Sequence, residues 1–363
     1  MEQKQLHIDR ILRIVWICLF LALCLIPSLG MLSAGETQPS ANEILASRPQ
    51  LVLKNGKWNT KVLNDVSDYI ADRFAFRKPL VTAWAKLNAN LFHASAEEQV
   101  VLGSDEWLYY EPTLDDYMGR SMSEDELDRA ASYLAALQQE AKDRGAELFF
   151  TIAPNKNSLY GENMPSFIPE NHACSNAEKL KPYLDRYGVN YIDLFAVFSD
   201  REETLYYRQD SHWTERGAAL AADSLLAAMG KESAYFPADF RPGEPHRGDL
   251  YEMLYPSGRD TEESEALASG FSYTLSGDPK GGNALKIRSE CEGKSGTLLC
   301  WRDSFGISLY PYLAESYGNA LFLRSSDYDL AEIEKTGSDT VLIELVERNL
   351  EQLAAAGRQM TGK

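Results

Sequence analysis

Cysteine is scarce in this chain and follows no spacing pattern. Five cysteines occur among 363 residues, and no Cys-x-x-Cys pair is present. Two of them, Cys18 and Cys24, lie in an apolar N-terminal run, which leaves an odd number for the rest of the chain. This distribution argues against a zinc site and against a disulfide scaffold. The sequence also lacks a phosphate-binding glycine loop. We therefore predict neither a metal nor a cofactor.

Basic residues are fewer than acidic residues in this chain. The chain has 36 basic and 54 acidic residues, a formal net charge of −18, and no run of Lys or Arg that could form a basic patch. Such a field repels nucleic acids and anionic lipid headgroups. We therefore predict that the chain does not bind nucleic acid.

Long apolar runs are absent, with one exception near the N-terminus. Residues 14–32 carry no charge and are almost wholly apolar, and about 20 such residues are enough to cross a bilayer. Three basic residues in the preceding tail, 1–13, favour a cytoplasmic N-terminus. We predict a single-pass anchor in the cell membrane, with the rest of the chain outside the cytoplasm. The alternative is a signal peptide that is cleaved near Ser28-Leu29-Gly30.

The composition changes along the rest of the chain. Residues 33–122 predict a polar linker followed by helices and a hairpin. A helix-capping box then opens an α/β region at 123–350, which contains a polar insertion at 236–290. Residues 351–363 are expected to form a C-terminal tail. The chain thus predicts one anchored catalytic domain with an N-terminal extension.

Short apolar runs alternate with helical segments in the α/β region. The runs ELFFTIA (147–153), TLLCW (297–301) and DTVLIELV (339–346) are typical of strands that are buried on both faces. This alternation predicts a mostly parallel, doubly wound α/β sheet.

Functional groups collect at the carboxyl ends of the strands in such a sheet. Ser304 lies just beyond the strand predicted at 297–301 and before a segment that can open as a helix. Neighbouring backbone N–H groups and the positive end of a helix dipole would stabilise an oxyanion there. The same position also suits an ordinary helix N-cap. A base within reach would distinguish a nucleophile from a cap.

The segment QDSHWTERG (209–217) offers such a base. Asp210 and His212 are two residues apart, so in an extended segment they project to the same side. The carboxylate can fix the imidazole tautomer while the other ring nitrogen accepts the serine proton. Taken alone, the pair is also compatible with a surface turn, or with half of a metal site completed by Asp193 or Asp249.

The other histidines are weaker candidates for the base. His7 lies in the predicted cytoplasmic tail, and His93, His172 and His246 have no adjacent carboxylate at this spacing. We therefore assign no role to these four residues.

Five segments, in this order, resemble the DHHW and alginate-acetylation (AlgJ/AlgX-like) branch of the SGNH hydrolase superfamily: YIADRFAFR (69–77), VVLGSDEWLYY (100–110), IAPNKNSLY (152–160), DSHWTERGA (210–218) and LLCWRDSFG (298–306). The DxHW and DSF motifs are the specific part of this resemblance. It implies an SGNH-hydrolase-like sheet with a permuted motif order, in which the Asp-His motif precedes the serine. It also implies that Ser304, His212 and Asp210 are catalytic and that Asp303 is structural.

Two positions depart from the family pattern. Arg302 stands where a glycine is expected, and its side chain would crowd the nucleophile turn. Arg348 follows the last predicted strand, near the place of the asparagine that donates to the oxyanion in ordinary members. It is expected to donate to the oxyanion, to bind a sugar carboxylate, or to form a surface ion pair with Glu347. Asn155 and Lys156, after another buried strand, are further candidates for lining the cleft.

The resemblance and the anchor together predict an extracytoplasmic O-acetyltransferase. It would modify a cell-envelope polysaccharide or exopolysaccharide through an acyl-serine intermediate. In such families a membrane-bound O-acyltransferase often supplies the acetyl group, so a partner of this kind is expected. A polysaccharide acetylesterase would use the same triad with water as the acceptor, and a non-catalytic glycan-binding scaffold is a further alternative. Triad residues do not separate a transferase from an esterase, because the two differ in water exclusion and acceptor binding.

Overall fold

The computed structural model describes residues 2–30, 45–120, 122–171, 175–276 and 282–361. The chain divides into two units. The first comprises Met1–Glu97 and Tyr251–Arg259, and the second comprises Glu98–Leu250 and Asp260–Lys363. The predicted linker that follows the anchor lies outside the described residues.

The first unit is helical and contains α1 (Glu2–Gly30), α2 (Val62–Arg73) and α3 (Arg77–Phe92). Within α1, the window Arg10–Pro27 has a mean hydropathy of 2.2, and none of it is buried. Its length and composition suffice to cross a membrane, as those of a signal sequence also would. This apolar helix supports the anchor predicted at 14–32, whose last two residues lie outside the described part.

The second unit alternates strands and helices. Its strands are β1 (Val100–Leu102), β2 (Leu108–Tyr110), β3 (Glu147–Ala153), β4 (Tyr191–Ile192), β5 (Phe240–Pro242), β6 (Glu265–Leu267), β7 (Thr274–Ser276), β8 (Lys286–Glu290), β9 (Thr297–Trp301), β10 (Asn319–Leu323) and β11 (Thr340–Val346). The helices that follow α3 are α4 (Leu114–Tyr117), α5 (Glu124–Asp143), α6 (Lys156–Leu159), α7 (Asn176–Tyr187), α8 (Leu194–Ser199), α9 (Glu215–Ala228), α10 (Asp249–Leu254), α11 (Gly306–Ser316), α12 (Glu332–Thr336) and α13 (Glu351–Thr361). Of these, α10 lies mostly in the segment Tyr251–Arg259 of the first unit.

The central sheet has the strand order β4-β3-β11-β9-β10-β8-β7. The first five strands in this order are parallel to their neighbours, whereas β8 and β7 add an antiparallel edge. The hairpins β1–β2 and β5–β6 form two small separate sheets. The mostly parallel sheet predicted from the apolar runs is confirmed.

Helices cover both faces of this sheet because its central strands bury side chains on both sides. On β9, Leu298 and Cys300 pack into a core that includes α9 and α11. Leu299 and Trp301 of the same strand enter the opposite core, with α5, α7 and α13. Successive side chains of a strand point to opposite faces, so β9 contributes side chains to both cores. This arrangement confirms the doubly wound fold.

The second unit begins earlier than the boundary predicted at 123. It starts at Glu98 because the hairpin β1–β2 packs into it. Trp107 and Tyr109 of this hairpin region are buried in a cluster with Tyr117. The aromatic side chains thus pack the hairpin into the second unit.

Two other segments differ from their predicted character. The polar insertion at 236–290 is not wholly an excursion, because β7 and β8 lie in it and extend the central sheet. The predicted tail at 351–363 contains helix α13, which packs against α5 and buries Leu353 completely. Both segments are polar in composition, but β8 buries every second residue and α13 buries Leu353 and Ala354 on one face.

Candidate active site

Three neighbouring strands bring predicted site residues to one edge of the sheet. Ser304 follows β9, Arg348 follows β11, and Asn155 and Lys156 follow β3. These strands are adjacent in the order β3-β11-β9 and run parallel. Their carboxyl ends therefore lie side by side, where open α/β sheets bind ligands.

A continuous chain of hydrogen bonds joins Ser304, His212 and Asp210. Ser304 Oγ lies 2.8 Å from His212 Nε2, and His212 Nδ1 lies 2.7 Å from Asp210 Oδ1. An ionised carboxylate can only accept a hydrogen bond. Nδ1 therefore carries the proton of a neutral imidazole, and Nε2 accepts from the serine hydroxyl. The three side chains have the geometry of a nucleophile, a base and an orienting carboxylate.

The Asp-His pair lies in the loop between α8 and α9, and residues on both sides of the pair fix this loop. Tyr206 and Trp213 form an antiparallel bridge across this loop, and Thr214 caps α9 through its side chain. The buried indole of Trp213 donates a hydrogen bond of 2.9 Å to Ser308, which lies on α11 just after the nucleophile turn. The tryptophan thus ties the loop that carries the base to the helix that follows the serine.

Opposite charges set the protonation of the Asp-His pair. Burial alone would raise the pKa of Asp210, but attraction to His212 and hydrogen bonds from His212 and His246 hold it well below its usual range. Burial lowers the pKa of His212, but the charge and hydrogen bond of Asp210, with a contribution from Asp249, raise it above its ordinary value. The positive charge of Arg348 opposes this rise. Asp210 is thus ionised and stabilises the imidazolium that forms when His212 accepts a proton.

His246 is a second imidazole on the same carboxylate. Its Nε2 lies 2.9 Å from Asp210 Oδ2, and its ring stacks on Tyr207 with centroids 4.0 Å apart. Gly248 permits this approach, because a Cβ at that position would lie 2.1 Å from the Gln209 carbonyl oxygen. His246 is not predictable from the sequence, since its carboxylate partner is adjacent in space but 36 residues away in the chain. No local sequence signal marks this contact.

Lys156 does not line an open cleft, which corrects its predicted position. Its ammonium group is buried and donates to the backbone carbonyls of Tyr207, Arg208 and Asp210 at 3.1, 2.8 and 2.5 Å. Three carbonyls match the three hydrogens of an ammonium group. Burial lowers the pKa of Lys156 to about 7, although attraction to Asp210 opposes the shift. Lys156 therefore holds the backbone of the loop that presents the carboxylate.

The side-chain amide of Asn155 is also buried. Within the described ranges, neither its oxygen nor its nitrogen has a hydrogen-bond partner. Buried polar groups are rarely left unpaired in native proteins. Asn155 therefore stays a candidate for contact with a substrate or a water molecule.

Arg348 lies beside the nucleophile turn. Its guanidinium carbon is 5.6 Å from the ring centroid of Phe305 and 5.4 Å from that of Tyr110. Glu347 points into the protein, where it accepts a hydrogen bond of 2.9 Å from the Asn155 backbone N–H. In the described part of the chain no carboxylate pairs with Arg348, so the predicted surface ion pair with Glu347 is wrong. The oxyanion and carboxylate-binding roles stay predictions.

Asp303 fixes the turn that presents Ser304. One carboxylate oxygen accepts from the Phe305 N–H at 2.9 Å, and the other accepts from the Val346 N–H at 2.7 Å. The second bond ties the turn after β9 to the end of β11. These contacts agree with the structural role that the family resemblance implies for Asp303.

Arg302 packs closely against this turn, because a Cβ placed on Gly306 would lie 2.5 Å from Arg302 Cδ. Its guanidinium is directed away from Ser304, to the carbonyls of Gly282 and Ala284, at 2.6 and 3.0 Å. A cavity of about 290 Å³ opens beside the nucleophile. Its lining consists of Trp301, Arg302, Asp303, Ser304, Arg324, Ser325, Ser326, Tyr328, Glu344, Leu345, Asn349 and Gln352.

The metal-site alternative fits the residues poorly. Asp193 caps helix α8 instead of approaching His212. Ligand atoms of Asp210, His212 and Asp249 do lie within 4.8 Å of one another. However, the oxygens of Asp249 accept from the backbone N–H and hydroxyl of Ser211, and both oxygens of Asp210 accept from the imidazoles. These potential ligand atoms are therefore already committed to hydrogen bonds within the protein.

Comparison with known proteins agrees with this architecture. A family model described as "SGNH hydrolase-like domain, acetyltransferase AlgX" matches residues 100–266. The predicted resemblance to the AlgJ/AlgX branch is confirmed. The matched range of this AlgX-type model contains Asp210, His212 and His246, whereas Ser304 lies beyond it and is brought to them by the fold.

Curated relatives carry the AlgJ name. The "Probable alginate O-acetylase AlgJ" of Pseudomonas syringae pv. tomato is 28% identical over 259 residues, which are 68% of this chain and 61% of the relative. Its Pseudomonas fluorescens counterpart is 27% identical over 66% of this chain and 60% of the relative. The chain thus spans about three fifths of the length of these AlgJ proteins.

Solved structures share the AlgJ-like fold. Bacillus cereus PatB1 matches with a TM-score of 0.54 at 19% identity, covering 69% of this chain and 95% of PatB1. The O-acetyltransferase domain of Pseudomonas putida AlgJ matches with a TM-score of 0.50 at 17% identity, covering 72% of this chain and 99% of that domain. At these identities the likeness establishes the fold alone.

Replacement of His246 by Asn should lower the rate without abolishing activity. A hydrogen bond to a charged group contributes about 1.5–3 kcal/mol, or roughly 10- to 100-fold in kcat/KM if all of it is realised in the transition state. His212 acts as a base only when neutral, so activity is lost as pH falls through its pKa. Without His246 the negative charge of Asp210 acts on His212 alone and raises the pKa of His212. The acid limb of the pH–rate profile should therefore move to higher pH.

His246→Gln provides the matched control, because its amide N–H can still donate to Asp210. It should restore part of the rate and part of the acid limb when ester hydrolysis is measured across pH. An unchanged acid limb in His246→Asn would contradict a link to the base and leave His246 a packing residue.

Proposed function

We propose that the chain is an extracytoplasmic O-acetyltransferase that modifies a polysaccharide through Ser304, His212 and Asp210. The observation that carries this proposal is the unbroken hydrogen-bond chain from the serine hydroxyl to a buried carboxylate. The similarity to proteins named as alginate O-acetylases supports acetyl transfer as the reaction. It also supports an anionic glycan as the acceptor.

In the first half-reaction the Ser304 Oγ attacks the carbonyl carbon of an acetyl donor, and His212 Nε2 takes the serine proton. The tetrahedral oxyanion collapses, and His212 returns that proton to the departing group. The product is an acetyl ester on Ser304. Asp210 stays ionised throughout and stabilises the intermediate imidazolium.

In the second half-reaction a sugar hydroxyl attacks the acetyl-serine. His212 takes the proton of this hydroxyl and delivers it to Ser304 Oγ as the ester bond to the serine breaks. The acetyl group thereby passes to the glycan, and the free serine is regenerated. An acetylesterase would follow the same steps with water in place of the sugar, and a non-catalytic scaffold would need none of these contacts.

Two groups are suited to hold the oxyanion. In the described residues no acceptor is bound to the Ser304 backbone N–H, and this group lies two residues before the start of α11. The Arg348 guanidinium is held over Phe305, the residue after the nucleophile. Preorganised donors of this kind stabilise the charge that develops in the transition state.

The apolar helix α1 supports a location at the membrane. We propose that α1 anchors the chain with the site outside the cytoplasm, since basic residues precede the apolar run. Acetyl groups are made inside the cell, so a membrane-bound O-acyltransferase would be a suitable donor partner.

Trapping the acyl-enzyme tests the nucleophile. The full chain should gain the mass of one acetyl group on the peptide containing Ser304 after brief exposure to an activated acetyl ester. Ser304→Ala should lose this label, whereas Ser325→Ala, which changes another serine of the same cavity, should keep it. Label that persists in Ser304→Ala would refute the assignment.

Replacement of Arg348 by Ala separates the two roles left for this residue. If Arg348 donates to the oxyanion, cleavage of a small neutral ester should fall by about 100- to 1,000-fold. If it binds a sugar carboxylate, small-ester cleavage should be nearly unchanged and binding of an anionic polysaccharide should weaken. We expect the first result, and a large loss on the charged polymer alone would contradict it.

A further inference from the structure

Helix α3 of the first unit carries an uncovered apolar stripe. Leu80, Trp84, Leu87 and Leu91 are spaced by four, three and four residues, which places them along one face of the helix. Their side chains are 45–64% exposed. Large apolar groups aligned in this way mark an interaction surface rather than scattered surface residues.

The opposite face of α3 is already occupied. Thr82 and Ala85 are buried there, and the Thr82 hydroxyl accepts hydrogen bonds of 3.0 Å from the backbone and side chain of Ser257. Lys86 lies over the ring of Tyr255 at 5.7 Å. At 100° per residue these positions point away from the stripe. The stripe is therefore not the side by which α3 packs into its own unit.

Helix α2 repeats the pattern. Leu63, Val66 and Ile70 lie on one face and are all exposed, and α2 has no buried residue. Its aspartates lie on the other face, where Asp65 accepts from the Asn59 side chain and Asp72 from a backbone N–H. Both helices are thus amphipathic, with an apolar face that lacks cover among the described residues.

The end of α1 lies at the turn between these two helices. A Cβ placed on Gly30, the last residue of α1, would lie 2.6 Å from Ala75 Cβ and 3.2 Å from the Phe76 ring. Phe76 is itself more than half exposed. If α1 crosses a bilayer, this contact puts the α2–α3 turn at the bilayer surface.

The local charge also differs from that of the whole chain. Residues 45–97 contain eight Lys or Arg and four Asp or Glu, whereas the chain as a whole has a net charge of −18. Apolar faces flanked by basic residues bind the interface of anionic membranes. The repulsion from anionic lipid that the total charge predicts therefore does not apply to this segment.

We propose that α2 and α3 lie in the interface of an anionic bilayer, with their apolar stripes among the lipid chains. This inference rests on the anchoring role proposed for α1 and adds a second membrane contact to it. The first unit would then contact the bilayer through α2 and α3 as well as through α1.

Tryptophan quenching by brominated lipids tests both contacts separately. The full chain is placed in nanodiscs that contain phosphatidylglycerol with or without bromine on the acyl chains. The emission of Trp16 on α1 and of Trp84 on α3 is obtained by difference from Trp16→Phe and Trp84→Phe. We expect brominated lipid to remove most of the emission of both residues.

A matched pair of variants controls the result. Leu80→Glu with Leu87→Glu should restore Trp84 emission and leave Trp16 quenched. Ala83→Glu with Asn90→Glu adds the same charge at exposed positions beside the stripe and should leave Trp84 quenched.

Two other outcomes would each overturn one of the proposed membrane contacts. Quenched Trp16 with unquenched Trp84 would overturn the docking of α3 and assign the stripe to a protein partner or a second copy. Unquenched Trp16 would overturn the anchoring itself.

Discussion

The negative charge of Asp210 is buried, and the rest of the site is arranged around this constraint. A buried ion without partners is strongly destabilising, and here its oxygens accept from the ring and backbone of His212, from His246 and from the Asp249 N–H. Lys156 also binds the Asp210 carbonyl. Two segments of the chain therefore converge on the Asp210 carboxylate and a third on its backbone carbonyl, and their convergence fixes the imidazole that faces the nucleophile.

The sheet supplies the other half of the site through two buried acids. Glu344 accepts a hydrogen bond from the Asp303 N–H, and Glu347 accepts one from the Asn155 N–H. Each glutamate thus fixes a turn at the carboxyl end of a strand, after β9 and β3 respectively. Burial raises the pKa of both glutamates well above the usual range, which favours their neutral forms. The pKa of Asp210, by contrast, is held well below its usual range, so negative charge is concentrated beside the imidazole, where the positive charge of the imidazolium develops.

Local sequence signals were sufficient for the sheet, the serine turn and the Asp-His pair. Apolar runs identify buried strands, and Asp210 and His212 are two residues apart, so their shared direction follows from an extended backbone. His246 and Lys156 could not be placed in the same way, because their contacts with this loop cross 36 and 54 positions. The polar sequence 351–363 predicts a tail instead of helix α13, although residues such as Leu353 give this helix a buried face.

Acetyl transfer to a glycan is the central claim, and a product assay tests it most directly. The full chain is incubated with an isotopically labelled acetyl ester and anionic or neutral oligosaccharides, and the masses of the sugars and of free acetate are followed. The account predicts labelled acetyl on an anionic oligosaccharide, lost in Ser304→Ala and strongly reduced in His212→Ala. Free acetate as the sole product with every sugar offered would contradict transfer and identify an esterase.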